Sequence, residues 1–223
     1  MKNGLLKSLV LGAVLACTLG AGSAKAVDFT VNSGDPYQGF MNVFNLPSAG
    51  GAFQFASPWG TPDLNAVFSG ANLTLSPNTI GDPDPYWYTP SGGPGSTGNK
   101  IMDANMYVEP AGSLPGVTVS FSGNVLSNTL TSAHPTVAFV RDFAPDFSSV
   151  VEQTVVLPAS GVFTVVLATI NDGARHVQYG FQMKGPNVWV TDVAPFGKVV
   201  IGPVQPTATK ATSWGRVKSL YKK

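Results

Sequence analysis

The residues best suited to hold a ligand are Asp82-Pro83-Asp84-Pro85-Tyr86-Trp87-Tyr88, at the centre of the Gly/Pro-rich segment Asn78 to Lys100. Two prolines stiffen the backbone, three consecutive aromatics follow, and carboxylates flank them. An aromatic ring packs on the C–H face of a pyranose while a carboxylate such as Asp84 accepts its hydroxyl hydrogens, and a rigid loop lowers the entropy cost of binding. The chemistry expected of Tyr86, Trp87, Tyr88 and Asp84 is therefore recognition of a polysaccharide or cell-surface glycan. The competing reading turns the rings inward as a plug over the end of the fold, because aromatics are heavily buried on average. Trp59, in Ser57-Pro58-Trp59-Gly60, is a second loop tryptophan, placed either beside Trp87 or over the core.

Other constellations are weaker. Asp82 with Asp84, and Asp142 with Asp146, are carboxylate pairs, but Ca²⁺ takes about six to eight oxygens and no EF-hand spacing is present. Asp142 follows Arg141 and reads as a surface ion pair or a turn cap. His134 and His176 are the only histidines, and neither lies in an H-E-x-x-H or G-x-S-x-G context. Asp103, Glu109 and Glu152 are the carboxylates a glycosidase would have to recruit, without any motif to mark them. The expectation is a protein that is not an enzyme.

The elements that must position these residues are strands. Thirteen segments rich in Val, Phe, Thr or Tyr recur between Phe29 and Ile201, most of them bounded by Gly, Pro, Asn or Ser, with no helical stripe between them. The clearest is His176 to Met183, where Val177, Tyr179, Phe181 and Met183 alternate with polar residues or glycine, the period of a strand with one buried face. Lys184-Gly185-Pro186-Asn187 reads as a turn into a returning strand, Val188 to Val193, in which Trp189 faces opposite to Val188 and Val190. This pattern predicts an all-β fold, an antiparallel β-sandwich or jelly roll with a long aromatic loop.

With Val177-Gln178-Tyr179-Gly180-Phe181-Gln182, then Gly185, then Val188-Trp189-Val190-Thr191-Asp192-Val193, the closing hairpin resembles the last strands of jelly-roll carbohydrate-binding modules of the galactose-binding-like superfamily. The resemblance implies a structural Ca²⁺ held by Asp192 together with an acidic residue near the first strand, Asp28 or Asp35. It also implies a binding role.

Lys2 and Lys7, the apolar run Leu9 to Leu19 and the site Ala24-Lys25-Ala26 compose a secretory signal peptide, predicted over residues 1–26. The expected location is therefore secreted, extracellular or cell-surface. Residues 27–203 form one expected domain, and 204–223 a Pro/Thr-rich linker and basic tail. The only cysteine, Cys17, lies in the signal, which excludes disulfides and a cysteine nucleophile from the mature body. Between residues 27 and 203 five basic side chains face twelve acidic ones, a formal charge of −7 that argues against nucleic acid as a partner. The tail, with Trp214, Val217, Leu220 and Tyr221 on one helical face among Arg216, Lys218, Lys222 and Lys223, is expected to contact a membrane surface or a sorting or attachment partner.

Overall fold

The computed structural model describes residues 25–204; the segment expected to be a signal peptide, apart from its last two residues, and nearly all of the expected tail lie outside them. Fourteen strands follow one another: β1 (Ala26–Thr30), β2 (Gln38–Asn45), β3 (Phe53–Trp59), β4 (Ala66–Ser69), β5 (Asn72–Leu75), β6 (Tyr88–Thr89), β7 (Thr97–Gly98), β8 (Lys100–Val108), β9 (Thr118–Asn128), β10 (Thr136–Phe143), β11 (Val150–Val156), β12 (Gly161–Ala168), β13 (His176–Pro186) and β14 (Val199–Gly202). No α-helix interrupts the described residues, only three short 3₁₀ turns.

Two six-stranded sheets pack through one core. The second sheet runs β11-β10-β13-β8-β2-β3 and is antiparallel throughout. The first is organised around β9, which pairs with β12 along one edge; β14, β5 and β4 extend the sheet from the other. That other edge is shared: β1 lies along Thr118–Ser122 and β14 along Asn124–Asn128. Because β1 runs parallel to β9, the sandwich is mixed at this one place rather than wholly antiparallel.

Alternation explains the packing. Phe121 of β9 and Phe163 of β12 point across the gap to Tyr179 and Phe181 of β13, with ring centroids 4.9 to 5.9 Å apart where they meet between sheets. Met41, Val43, Met102, Met106, Val119 and Ile201 fill the space around them, all close to fully buried. Each side chain of this kind contributes roughly 1.5–3 kcal/mol by leaving water.

The closing segment departs from the expected hairpin. β13 does not turn at Lys184 but continues through Pro186, pairing with β8 as far as Ile101. Val188 makes only an isolated bridge to Thr79, and residues 189–193 hold a turn and a bend at 190–192 rather than a returning strand. Gly185 and Pro186 are compatible with this ending because strand termini tolerate a missing N–H. Within the long segment 78–100 the chain forms a two-stranded ribbon, β6 with β7, which periodicity did not reveal.

Candidate functional site

The aromatic loop is a built structure, but its rings go separate ways. Tyr88 is fully buried. Its hydroxyl lies 2.7 Å from the Ile80 carbonyl and 3.0 Å from that of Val188, accepts the Ile80 N–H at 3.1 Å, and is pushed to higher pKa by burial. The expectation that Tyr88 offers its ring to a ligand is thus corrected: its only polar atom is needed to satisfy backbone groups. Tyr86 is exposed, yet the Lys100 ammonium sits 3.9 Å from its ring centroid and covers one face. Trp87 is half-buried, edge-on to Phe55 and to Tyr86.

Asp84 accepts the Tyr86 N–H at 2.7 Å, while Asp82 accepts the N–H of Asp84, two consecutive Asx turns that hold the loop's shape. The ribbon is pinned from below, where Asn187 donates to the Trp87 carbonyl at 2.9 Å and Gly98 lies so close to Asn187 that a Cβ there would strike its carbonyl. Trp59 is a strand residue of β3, its Nε1–H donating to Ser57 at 2.8 Å, and it lines an open cleft of about 600 Å³ with Asp63, Ile80 and Asp82. Trp87 does not line that cleft. Trp189 packs edge-on against Tyr88 at 5.3 Å, half-buried at the end of the sandwich.

The three acidic residues implied as metal ligands are held by different neighbours. Asp28 is hydrogen-bonded to Ser120 of β9, Asp35 accepts from the Tyr179 hydroxyl and Asn32, and Asp192 accepts from Gly95 N and Thr191. Among the described residues no three His, Cys, Asp or Glu side chains converge.

A second open feature, of similar volume, lies on the outer face of the second sheet. A groove of about 610 Å³ crosses β2, β8, β13, β10 and β11. The register brings side chains of one parity together there: Asp103 and Asn105 from β8, Gln178 and Gln182 from β13, Arg141 from β10 and Glu152 from β11. These form a connected bed. Arg141 places its guanidinium carbon over the Phe139 ring, 3.8 Å from the centroid, and donates Nε–H to Glu152 at 2.8 Å and Nη1–H to Asn105 at 2.7 Å. Asn105 and Gln182 each donate an amide N–H to Asp103 Oδ1, at 3.0 and 2.7 Å. At the far end Glu109 accepts from Gln178 at 3.0 Å and pairs with His176 Nδ1 at 2.8 Å.

One wall of the groove is apolar. Phe147 stands 55% exposed, stacked on His176 at 4.7 Å and 16°, with Phe143 and Val150 beside it. Its backbone has φ 59, a left-handed conformation in which bulky residues are rare. The turn tolerates it because Asp146 caps Ser148 and the Ala144 and Ser149 backbones hydrogen-bond across it.

Sequence reasoning named Asp103, Glu109 and Glu152 as isolated carboxylates, and the fold places all three on this groove. It did not find Asn105, Arg141, Phe147, Gln178 or Gln182. A signal was present: the outward phase of β8 and β13 carries amides and carboxylates where an ordinary solvent face carries Lys, Thr or Ser. Arg141 and Asp142 do not pair with each other, because neighbours on a strand point to opposite faces. Asp142 is instead fully buried, receiving Arg175 Nε–H and Ile170 N–H at 2.8 Å each.

No protein-family model, curated protein or solved structure matches this chain.

Proposed function

We propose that this protein is a secreted, non-catalytic β-sandwich that binds glycan chains along the outer groove of its second sheet. The observation that carries the reading is the pairing of a pre-ordered amide and carboxylate bed with an aromatic wall, the exposed Phe147 and the half-buried Phe143, across about 610 Å³. Amides and carboxylates both orient hydroxyls, and rings cover C–H faces, so the two sides of the groove match the two sides of a sugar. The side chains of the bed hold one another by hydrogen bonds, which lowers the ordering cost of binding.

Retention on immobilised polysaccharides tests it. Phe147→Ala weakens retention about tenfold, the scale of a lost stacking contact plus its buried area, and Gln182→Ala weakens it further. Trp87→Ala leaves it unchanged. Loss with Trp87→Ala and none with the groove variants would return the site to the loop. A structural, surface-attached role without a small ligand is favoured by the exposed aliphatic side chains Val156, Val162 and Val166 on β11 and β12; wild-type protein retained on no glycan supports that role.

A further inference from the structure

The charges facing the groove narrow the ligand, given the glycan reading above. Asp103, Glu109 and Glu152 line it, and Arg141 is its only lining cation among the described residues. That cation is already engaged, with Glu152 and Asn105 as acceptors and the Phe139 ring 3.8 Å away. His176 is tied to Glu109 and covered by Phe147. Lys184 lies opposite Asp103 in the register, but its ammonium sits 5.4 Å over the Phe44 ring and reaches no carboxylate. A uronate or sulfate would therefore meet like charges with no free cation to receive it.

Asp103 supplies an acceptor for a cation. Only 9% of it is exposed, both amide bonds fall on Oδ1, and Oδ2 has no donor among the described residues. It is a nearly buried anionic acceptor on the groove floor with a vacant side, and such a group gains most from a charged donor.

We infer that the groove selects glycans carrying free amino groups, glucosamine-type units, over their N-acetylated, neutral or acidic counterparts, with Asp103 Oδ2 receiving the ammonium. A ligand ammonium offers three N–H donors and offsets the net negative charge of the floor. N-acetylation removes the charge and keeps the sugar, so the pair isolates the effect.

Calorimetric titration at mildly acidic pH with matched oligosaccharides of glucosamine, N-acetylglucosamine, glucose and galacturonic acid provides the test. The glucosamine oligomer binds about tenfold tighter than the acetylated or neutral ones, the advantage shrinks at high salt, and the galacturonate does not bind. Asp103→Asn brings the amino and acetylated ligands to within about twofold, while neutral-sugar binding persists. Should Asp103→Asn fail to fold, Glu152→Gln, at an exposed position, reduces the preference in the same direction. Asp82→Asn, a carboxylate lost from the loop, has no effect; an equal loss there would mean the oligocation binds anywhere on the acidic body and would overturn the inference. Equal or tighter binding of acetylated or acidic oligomers also overturns it and leaves the glycan reading standing. Failure of every oligosaccharide to bind sinks both.

Discussion

Replacing Tyr88 by phenylalanine removes one oxygen and no ring, so it isolates what the hydroxyl does. That oxygen meets two carbonyls and one N–H: Ile80 O at 2.7 Å, Val188 O at 3.0 Å and Ile80 N at 3.1 Å. The side chain is fully buried, so water cannot take its place without opening the loop. The lost bond is worth about 1 kcal/mol net, and stranding the Ile80 N–H adds about 1–3 kcal/mol. A loss of about 2–4 kcal/mol follows, on the order of 5–15 °C in melting temperature for a domain of this size. Urea unfolding with an unchanged m-value is the assay. Glycan retention stays at the wild-type level once the protein is folded, because no groove atom moves. A loss below about 0.5 kcal/mol would show that the loop is not riveted through Tyr88; lost retention in a folded variant would show that the loop shapes the binding surface.

The stability profile against pH has two limbs. His134 is buried, with Nε2 against the Pro186 carbonyl and Nδ1 unpartnered, and burial lowers its pKa below the usual 6.5. The unfolded chain therefore binds a proton first, and stability present above pH 6.5 is lost as pH falls toward the folded value; His134→Gln flattens that limb in pH-dependent urea melts. Tyr37 and Tyr179, both raised chiefly by burial, with Asp35 nearby, ionise more readily when unfolded, so stability holds below pH 10.0 and declines above it. Tyr37→Phe reduces that alkaline loss. Asp142→Ala leaves Arg175 and the Ile170 N–H without their buried acceptor and costs about 3–5 kcal/mol, whereas Glu152→Ala, breaking a partly exposed pair, costs about 1 kcal/mol or less by denaturation.

The alternation of β13, the Val-rich runs of β10 and β12 and the Gly/Pro punctuation between them made the all-β class legible, because period-two burial is a property of neighbouring residues alone. The ending of β13 was not legible. Lys184-Gly185-Pro186 carries turn chemistry, yet β8 offers hydrogen-bond partners as far as Ile101, and a long-range ladder outweighs a local preference. The parallel placement of β1 on β9 was hidden for a similar reason, since nothing in Ala26–Thr30 encodes the direction of its partner.

The aromatic loop shows how local chemistry can mislead about a site. Three adjacent rings suggest one surface, but Tyr88 is buried where Tyr86 is exposed, and only the surrounding chain decides which ring the core takes. Sequence by itself determined how acidic the body is and that strands would carry its polar side chains. Which of them meet was left to the register: residues more than seventy positions apart, Asp103 and Gln182, share a hydrogen bond because two strands align at one offset, and a slip of a single residue would have turned the whole bed inward.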